Sequence, residues 1–330
     1  MHQVTLTSNK AFQLEPGTTV LNAAMKAGIS LPYSCKNGRC NSCKCKVLNG
    51  STTANHDEIG LSPEEKEQGW ILSCVRTATS DLTIEVEDLG DVQLPTPKTY
   101  PCRISSLEKV SADVMCIRLR LPPSAQFEFI PGQYIDIIGP NGSRRSYSLA
   151  NGGFENKSLE LQVKKVQGGE LSNYWFNEAK ENDLLRLHGP LGTFFLRDVA
   201  NLDLVFLATG TGIAPIKAII ESMNGLLTDK RPKSITVIWG ARKEADLYLS
   251  PDSFDQNVRY IPTLSRPHAD WSGAKGYVQD ILLDQFKALQ NTAVYACGSE
   301  AMIQDAKSSL TQAGLPANRF YSDAFVSSAT

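Results

Sequence analysis

The chain has 330 residues, 42% of them hydrophobic, and a formal net charge of −2. That length exceeds one ordinary core and implies two or three domains, while the near-balanced charge excludes the strongly basic surface that nucleic acid requires. No run of about 18 apolar residues and no charged leader occurs, and eight irregularly spaced cysteines are too few for a disulfide scaffold, so a cytoplasmic protein without export or membrane anchor is expected.

In chain order, Val4 and Leu6 alternate through a first strand. A short helix over 19–27 puts Val20, Leu21, Ala24 and Ala27 on one face and is closed by Gly28. The segment Cys35-Lys36-Asn37-Gly38-Arg39-Cys40-Asn41-Ser42-Cys43 follows, with Cys74 standing alone further on. C-x4-C-x2-C with a distant fourth cysteine is the spacing that holds a plant-type 2Fe-2S cluster, which makes Cys35, Cys40, Cys43 and Cys74 candidate iron ligands. Such a loop must wrap two irons without obstruction, and Asn37 and Gly38 supply the backbone freedom. Small Ser34, Asn41 and Ser42, with N–H groups turned inward, can donate hydrogen bonds to the sulfurs and tune the reduction potential. Zinc is the competing reading, but zinc sites usually carry two C-x2-C pairs and only one is present. Cys45, Cys102 and Cys116 lack partner spacing and read as core thiols.

Ser62-Pro63-Glu64-Glu65 combines a capping residue, a first-turn proline and a third-position glutamate, so it starts a helix that ends by Gly69. Leu82, Ile84 and Val86 alternate through a last strand, an acidic turn spans 87–91, and Leu94-Pro95-Thr96-Pro97-Lys98 reads as a stiff connection. These breaks divide the chain into 1–92, a linker at 93–99, 100–198 and 199–330.

Residues 100–196 carry short alternating strands at 114–121, 133–138, 159–166 and 184–187, the texture of a small antiparallel β-barrel. Within it, Arg145-Ser146-Tyr147-Ser148 lies on a strand. Arg145 can fork onto a pyrophosphate, Tyr147 can stack on a flat ring, and Ser148 can hydrogen-bond a ring nitrogen, although an arginine and a tyrosine on a strand are also ordinary rim residues. Gly168-Gly169-Glu170-Leu171-Ser172 precedes an apolar helical stretch, so Gly169 and Ser172 either hold a phosphate or form a capped glycine turn. Gly189-Pro190-Leu191-Gly192-Thr193-Phe194 is a second glycine turn that either shapes the floor of the same site or is structural.

From Leu202 the pattern changes to apolar strands alternating with amphipathic helices, drawn at 204–208, 235–239, 259–264 and 293–296, which is an α/β doubly wound parallel sheet. After the first strand comes Thr209-Gly210-Thr211-Gly212-Ile213-Ala214-Pro215 and then a helix bearing Ile216, Ile219, Ile220 and Met223. Strand, glycine loop and helix cradle a dinucleotide pyrophosphate through Gly210, Thr211 and Gly212. Cys297-Gly298-Ser299 follows the last of these strands at its carboxyl end, where Cys297 is a nicotinamide neighbour, a nucleophile or a buried thiol.

With the cluster loop, RSYS, GTGIAP and CGS in this order, the chain resembles the ferredoxin-NADP reductase superfamily with an N-terminal plant-type ferredoxin domain, along essentially its whole length. Within that superfamily it is most similar to the CDP-6-deoxy-Δ3,4-glucoseen reductases, through 98–102, 121–123, 131–136, 144–148 and the closing Phe320-Tyr321-Ser322-Asp323-Ala324-Phe325. Reductase components of aromatic-ring and phenol oxygenases share much of this. The resemblance implies a β-grasp α+β ferredoxin domain, an antiparallel barrel for FAD and a doubly wound domain for NAD(P)H. It implies Arg145 and Ser172 on the FAD pyrophosphate, Tyr147 and Ser148 at the isoalloxazine, and NAD(P)H on Gly210, Thr211, Gly212, Cys297 and Gly298, with Cys297 beside the nicotinamide. Phe325 matches an aromatic that covers the flavin, here with five residues after it.

The implied activity is an oxidoreductase relay: hydride from NAD(P)H to FAD, single electrons to the 2Fe-2S cluster, and delivery to an acceptor protein, a dehydrase or an oxygenase component. Ser148, Cys297 and Phe325 are the candidate catalytic residues. Arg242 and the pair Ser265-Arg266 could receive a 2′-phosphate, yet NADH is the expected donor, with NADPH possible. A monomer is expected. A redox-inert zinc or binding module on the same folds is the alternative of another class.

Overall fold

The computed structural model describes residues 1–90, 92–154 and 158–325. Asp91 of the expected acidic turn and the five residues after Phe325 lie outside that set. Two compact units result, Met1–Leu94 and Pro95–Phe325.

The first unit contains β1 (His2–Leu6), β2 (Ala11–Leu14), α1 (Val20–Lys26), β3 (Lys44–Asn49), β4 (Thr52–Ala54), α2 (Pro63–Glu67), β5 (Trp70–Leu72), β6 (Arg76–Ala78) and β7 (Leu82–Glu85). Its main sheet has the order β2-β1-β7-β3-β5, with β1 and β7 parallel, and β4 and β6 pair separately. That is the β-grasp layout. Alternation sends Val4, Leu6, Phe12, Leu14, Leu82 and Ile84 inward against Val20 and Leu21 of α1. Thr19 caps α1 by accepting the Asn22 amide, and Ser62 and Glu65 form the expected reciprocal capping box on α2.

The second unit opens with a barrel of β8 (Lys98–Ser111), β9 (Val114–Arg120), β10 (Tyr134–Ile138), β11 (Arg144–Ser148), β12 (Ser158–Lys164) and β13 (Leu184–Leu191), with α3 (Glu170–Asn173) and a π-turn at Tyr174–Glu178 before the last strand. The antiparallel order is β11-β10-β13-β8-β9-β12, and a bridge between Leu149 and Leu161 ties the two edge strands into a closed wall. Strand β8 begins at Lys98, inside the stretch 93–99 read as linker, because its first residues pair with β13 through Gly189 and His188. Register shifts at Ile104/Ser106 and Lys109/Ser111 break its alternation, which hides it from pattern reading.

The rest of the unit is β14 (Asp203–Thr209), a 3₁₀ turn at Gly210–Gly212, α4 (Ile213–Ser222), β15 (Ser234–Ala241), β16 (Val258–Leu264), β17 (Ala274–Lys275), α5 (Val278–Gln285), β18 (Thr292–Ser299), α6 (Glu300–Gln312) and β19 (Phe320–Phe325). All its strand pairs are parallel, in the order β17-β16-β15-β14-β18-β19. Both faces are covered: Phe206, Trp239 and Tyr295 pack on the α4 side, while Val205, Leu207, Ile238 and Val294 pack against α5 and α6. The winding reverses between β14 and β18, and in a sheet of this kind the carboxyl ends of the strands at that point are where ligands bind. No helix among the described residues is long and apolar enough to cross a membrane.

Candidate functional site

The cysteine loop runs from the end of α1 to the start of β3. Its three thiols and that of Cys74, which lies between β5 and β6, associate two and two. The Cys40 amide donates to the Cys35 sulfur at 3.3 Å and the Cys35 amide to the Cys40 sulfur at 3.5 Å. A hydrogen bond from the Cys40 thiol, helped by the amides of Asn37, Cys40 and Arg39, outweighs burial and draws Cys35 down to about 6. Cys43 and Cys74 form the second pair: the hydrogen bond from Cys43 lowers Cys74, with the Gly38 amide assisting, and raises Cys43 well above its ordinary range. Inward amides therefore stabilise sulfur-borne charge, as iron-bound thiolates require.

The loop's tightness is enforced by glycine. Gly38 has φ +76°, and a β-carbon there would sit 2.4 Å from the Asp57 carbonyl; one on Gly60 would sit 2.5 Å from the Cys40 carbonyl. This cradle and its all-thiol donor set suit a 2Fe-2S cluster, which Cys35, Cys40, Cys43 and Cys74 would hold. Cys45 is fully buried beyond the loop, and burial pushes its thiol up to about 12. Cys102 and Cys116 are pushed up to about 12 and about 11, chiefly by burial, which suits core thiols.

On β11, Arg145 is exposed, Tyr147 half-buried and Ser148 buried. Trp175 of the π-turn donates its indole N–H to the Tyr147 oxygen at 3.2 Å, and the two rings meet edge-on with centroids 6.4 Å apart. This contact brings β11 and the segment bearing Gly169 and Ser172 together and fixes the Tyr147 ring. Ser172 accepts the Val166 amide at 2.7 Å, so its oxygen also closes the glycine turn. At the start of β10, the side-chain amide of buried Gln133 donates to the Gly192 carbonyl at 2.9 Å, which ties the second glycine turn to β10. A guanidinium, a braced aromatic and a buried hydroxyl in succession along one barrel edge fit a dinucleotide with a flat redox ring.

At those carboxyl ends, Gly212 is pressed so closely on β18 that a β-carbon would lie 2.1 Å from the Cys297 carbonyl. A β-carbon on Gly298 would lie 2.1 Å from the Thr209 hydroxyl. At both positions the missing side chain is what lets β14 and the loop after it close directly onto β18. Trp239 supports the loop by donating to the Gly210 carbonyl at 2.9 Å. Cys297 is fully buried; desolvation, with the Asp323 carboxylate adding to it, raises its thiol well above the ordinary range, removing the thiolate that a nucleophile needs. Phe325 ends β19 opposite Ser299, one register step beyond Gly298, and is 39% exposed.

Three models of known domains match the chain: a 2Fe-2S iron-sulfur cluster binding domain over 4–79, an oxidoreductase FAD-binding domain over 101–196 and an oxidoreductase NAD-binding domain over 206–308. The CDP-6-deoxy-L-threo-D-glycero-4-hexulose-3-dehydrase reductase of Yersinia pseudotuberculosis is 40% identical over 323 residues, covering 96% of both chains. The chain belongs to the ferredoxin-NADP reductase superfamily, in the branch with an N-terminal plant-type ferredoxin domain. Reductase component 1 of the Comamonas terephthalate 1,2-dioxygenase is 33% identical, covering 100% of this chain and 98% of its own. The Amycolatopsis reductase GcoB, a crystal structure, superposes with a TM-score of 0.75 at 26% identity, covering 98% of this chain and 99% of that one. The protein is an NAD(P)H-dependent iron-sulfur flavoprotein that transfers electrons.

Trp175, which braces Tyr147, and Trp239, under Gly210, lie within apolar stretches of the sequence that give no sign of these roles. Tyr277, 64% exposed, lies between the carboxyl end of β17 and the start of α5. Lys217 interrupts the apolar run Ile213-Ala214-Pro215-Ile216 and Ala218-Ile219-Ile220, and that interruption was the signal available for it.

Proposed function

We propose that Cys35, Cys40, Cys43 and Cys74 hold the cluster, that Arg145, Tyr147, Ser148, Gly169 and Ser172 hold FAD, and that Gly210, Thr211, Gly212, Cys297 and Gly298 receive the nicotinamide dinucleotide. Residues 1–92 are the ferredoxin domain, 93–99 the connection, 100–198 the flavin domain and 199–330 the nucleotide domain. FAD, when bound, accepts electrons in pairs and releases them singly to iron. The chain's own part is placement. Tyr147 presents its face to the ring while Trp175 fixes its edge, and Ser148 offers its hydroxyl to a ring nitrogen. Gly212 and Gly298 let the loop after β14 pack directly on the end of β18 and so shape the nicotinamide entrance, and Phe325 screens that entrance from water. A reducing cytoplasm suits the thiolates.

The acceptor is a dehydrase that works on a nucleotide-linked deoxyhexulose. What supports this is the 40% identity, over nearly the full length, to the Yersinia dehydrase reductase, against 33% for the terephthalate dioxygenase component. Reconstitution tests it: with NADH and the purified dehydrase, the deoxysugar product forms, whereas turnover only with an oxygenase component assigns the chain to oxygenation. NADH is the preferred donor. The groove that holds Arg266 is lined also by Lys243 and by Glu244, which is held to His268 at 2.9 Å, so a 2′-phosphate there would meet two cations and one carboxylate and is not selected by charge alone. A lower KM for NADPH than for NADH would reverse that choice.

A further inference from the structure

Between the barrel and the nucleotide fold lies a charged cluster that no cofactor contact explains. Lys217, one turn into α4, has a side chain only 15% exposed. Its ammonium donates to the Ala150 carbonyl at 3.0 Å, lies 3.4 Å from a Glu160 carboxylate oxygen on β12, and lies 2.7 Å from Glu221 one turn on. Glu221 in turn accepts the Gly152 amide at 2.8 Å, and Arg118 donates to the other Glu160 oxygen at 3.2 Å. Two cations thus face two carboxylates, so the cluster is charge-balanced, and the buried ammonium has its donors satisfied.

The position of these bonds gives them meaning. Ala150 stands two residues beyond Ser148, and Lys217 stands five residues beyond Gly212. The same contact is tight on the backbone side: a β-carbon on Gly152 would fall 2.6 Å from the Glu221 β-carbon and 2.8 Å from the Ala218 carbonyl. One ammonium therefore ties the exit of the flavin strand directly to the helix that carries the dinucleotide loop. Donor and acceptor rings held on those two elements keep the spacing that this tie sets, and transfer between them falls steeply with misplacement.

We propose that Lys217 is a positioning residue for the nicotinamide-to-flavin step, acting through Ala150 and, with Glu221, through Gly152. The proposal rests on the placement of FAD and nicotinamide given above. The step is unchanged in kind: a hydride, two electrons and one proton, leaves the reduced nicotinamide and bonds to the flavin. Lys217 neither gives nor takes a proton in it.

The test compares the wild-type holoenzyme with K217M, K217R and E221Q by anaerobic stopped flow at saturating NADH. K217M lowers the limiting rate of flavin reduction by about 10- to 100-fold with little change in FAD content, K217R recovers most of the rate, and E221Q falls between. Two further readouts separate positioning from simple destabilisation. The long-wavelength charge-transfer absorbance formed with NADH weakens in K217M, and hydrogen exchange in the peptide spanning 149–153 quickens in both K217M and E221Q while the core of β14 keeps its protection. Wild-type rate and charge-transfer absorbance in K217M overturn the proposal; if K217M does not fold, E221Q with quickened exchange and an unaltered rate does so. Failure of the wild type itself to reduce its flavin with NADH overturns instead the cofactor placement beneath it.

Discussion

Gly212 and Gly298 have no room for a methyl group, and the obstacles are fixed: the Cys297 carbonyl in one case and the Thr209 side chain in the other. Gly212→Ala must push α4's first turn away from β18, so the KM for NADH rises on the order of tenfold while cluster and flavin absorbance stay as in the wild type. An unaltered KM would contradict the cradle. Ser148 is buried at the end of β11, and the role proposed for its hydroxyl is at the ring rather than at the pyrophosphate. Ser148→Ala therefore slows flavin reduction by about tenfold and leaves FAD affinity nearly unchanged. Stopped-flow reduction at the wild-type rate with flavin fully bound would refute that role. At this scale the sequence pointed to the groups proposed to meet cofactors, since cysteine and glycine spacings are local. It concealed the residues that brace them: Trp175 and Lys217 act on Tyr147 and Ala150, which lie far away along the chain.

Elements were legible where one face is apolar and the ends are signalled. Thr19 before α1 and Ser62 with Glu65 on α2 are local chemistry, and the parallel strands read as continuous apolar runs because both faces are covered. The pair β4 and β6 had no such signature, since Thr52-Thr53-Ala54 and Arg76-Thr77-Ala78 are mostly polar. They are held instead by a buried ion pair. Glu58, 5% exposed, accepts the Leu72 amide at 2.8 Å and the Arg76 guanidinium, which also donates to the Thr52 carbonyl and hydroxyl at 3.3 Å. This staple fixes the segment on either side of Cys74. Arg76→Met strands the Glu58 charge and lowers the stability of the first unit by about 3 kcal/mol, read as loss of cluster absorbance at lower urea concentration. An unshifted urea midpoint would show that the pair is ornamental.

The whole molecule joins a β-grasp unit to a unit in which a flavin barrel and a doubly wound sheet share one packed body. Its core thiols give stability a defined pH dependence. Burial raises Cys102 to about 12 and Cys116 to about 11 from 9.0, so the folded state keeps both protonated where the unfolded chain has begun to release protons. Their contribution is full below about pH 9 and is lost as pH rises towards the folded values. The urea midpoint of the second unit is therefore lower at pH 10.5 than at pH 8, and Cys102→Ala lessens that drop. A midpoint that rises with pH over this range would contradict the sign.

In this protein a nicotinamide's electron pair reaches iron one electron at a time, by way of FAD. Anaerobic addition of NADH to iron- and flavin-replete protein, followed by absorbance and by low-temperature electron paramagnetic resonance, tests it most directly. The expected result is bleaching of the flavin and the signal of a reduced 2Fe-2S cluster, with the cluster signal lost when FAD is stripped and regained when FAD is restored. A cluster that stays oxidised in the replete protein, or one that is reduced equally well without FAD, would contradict it.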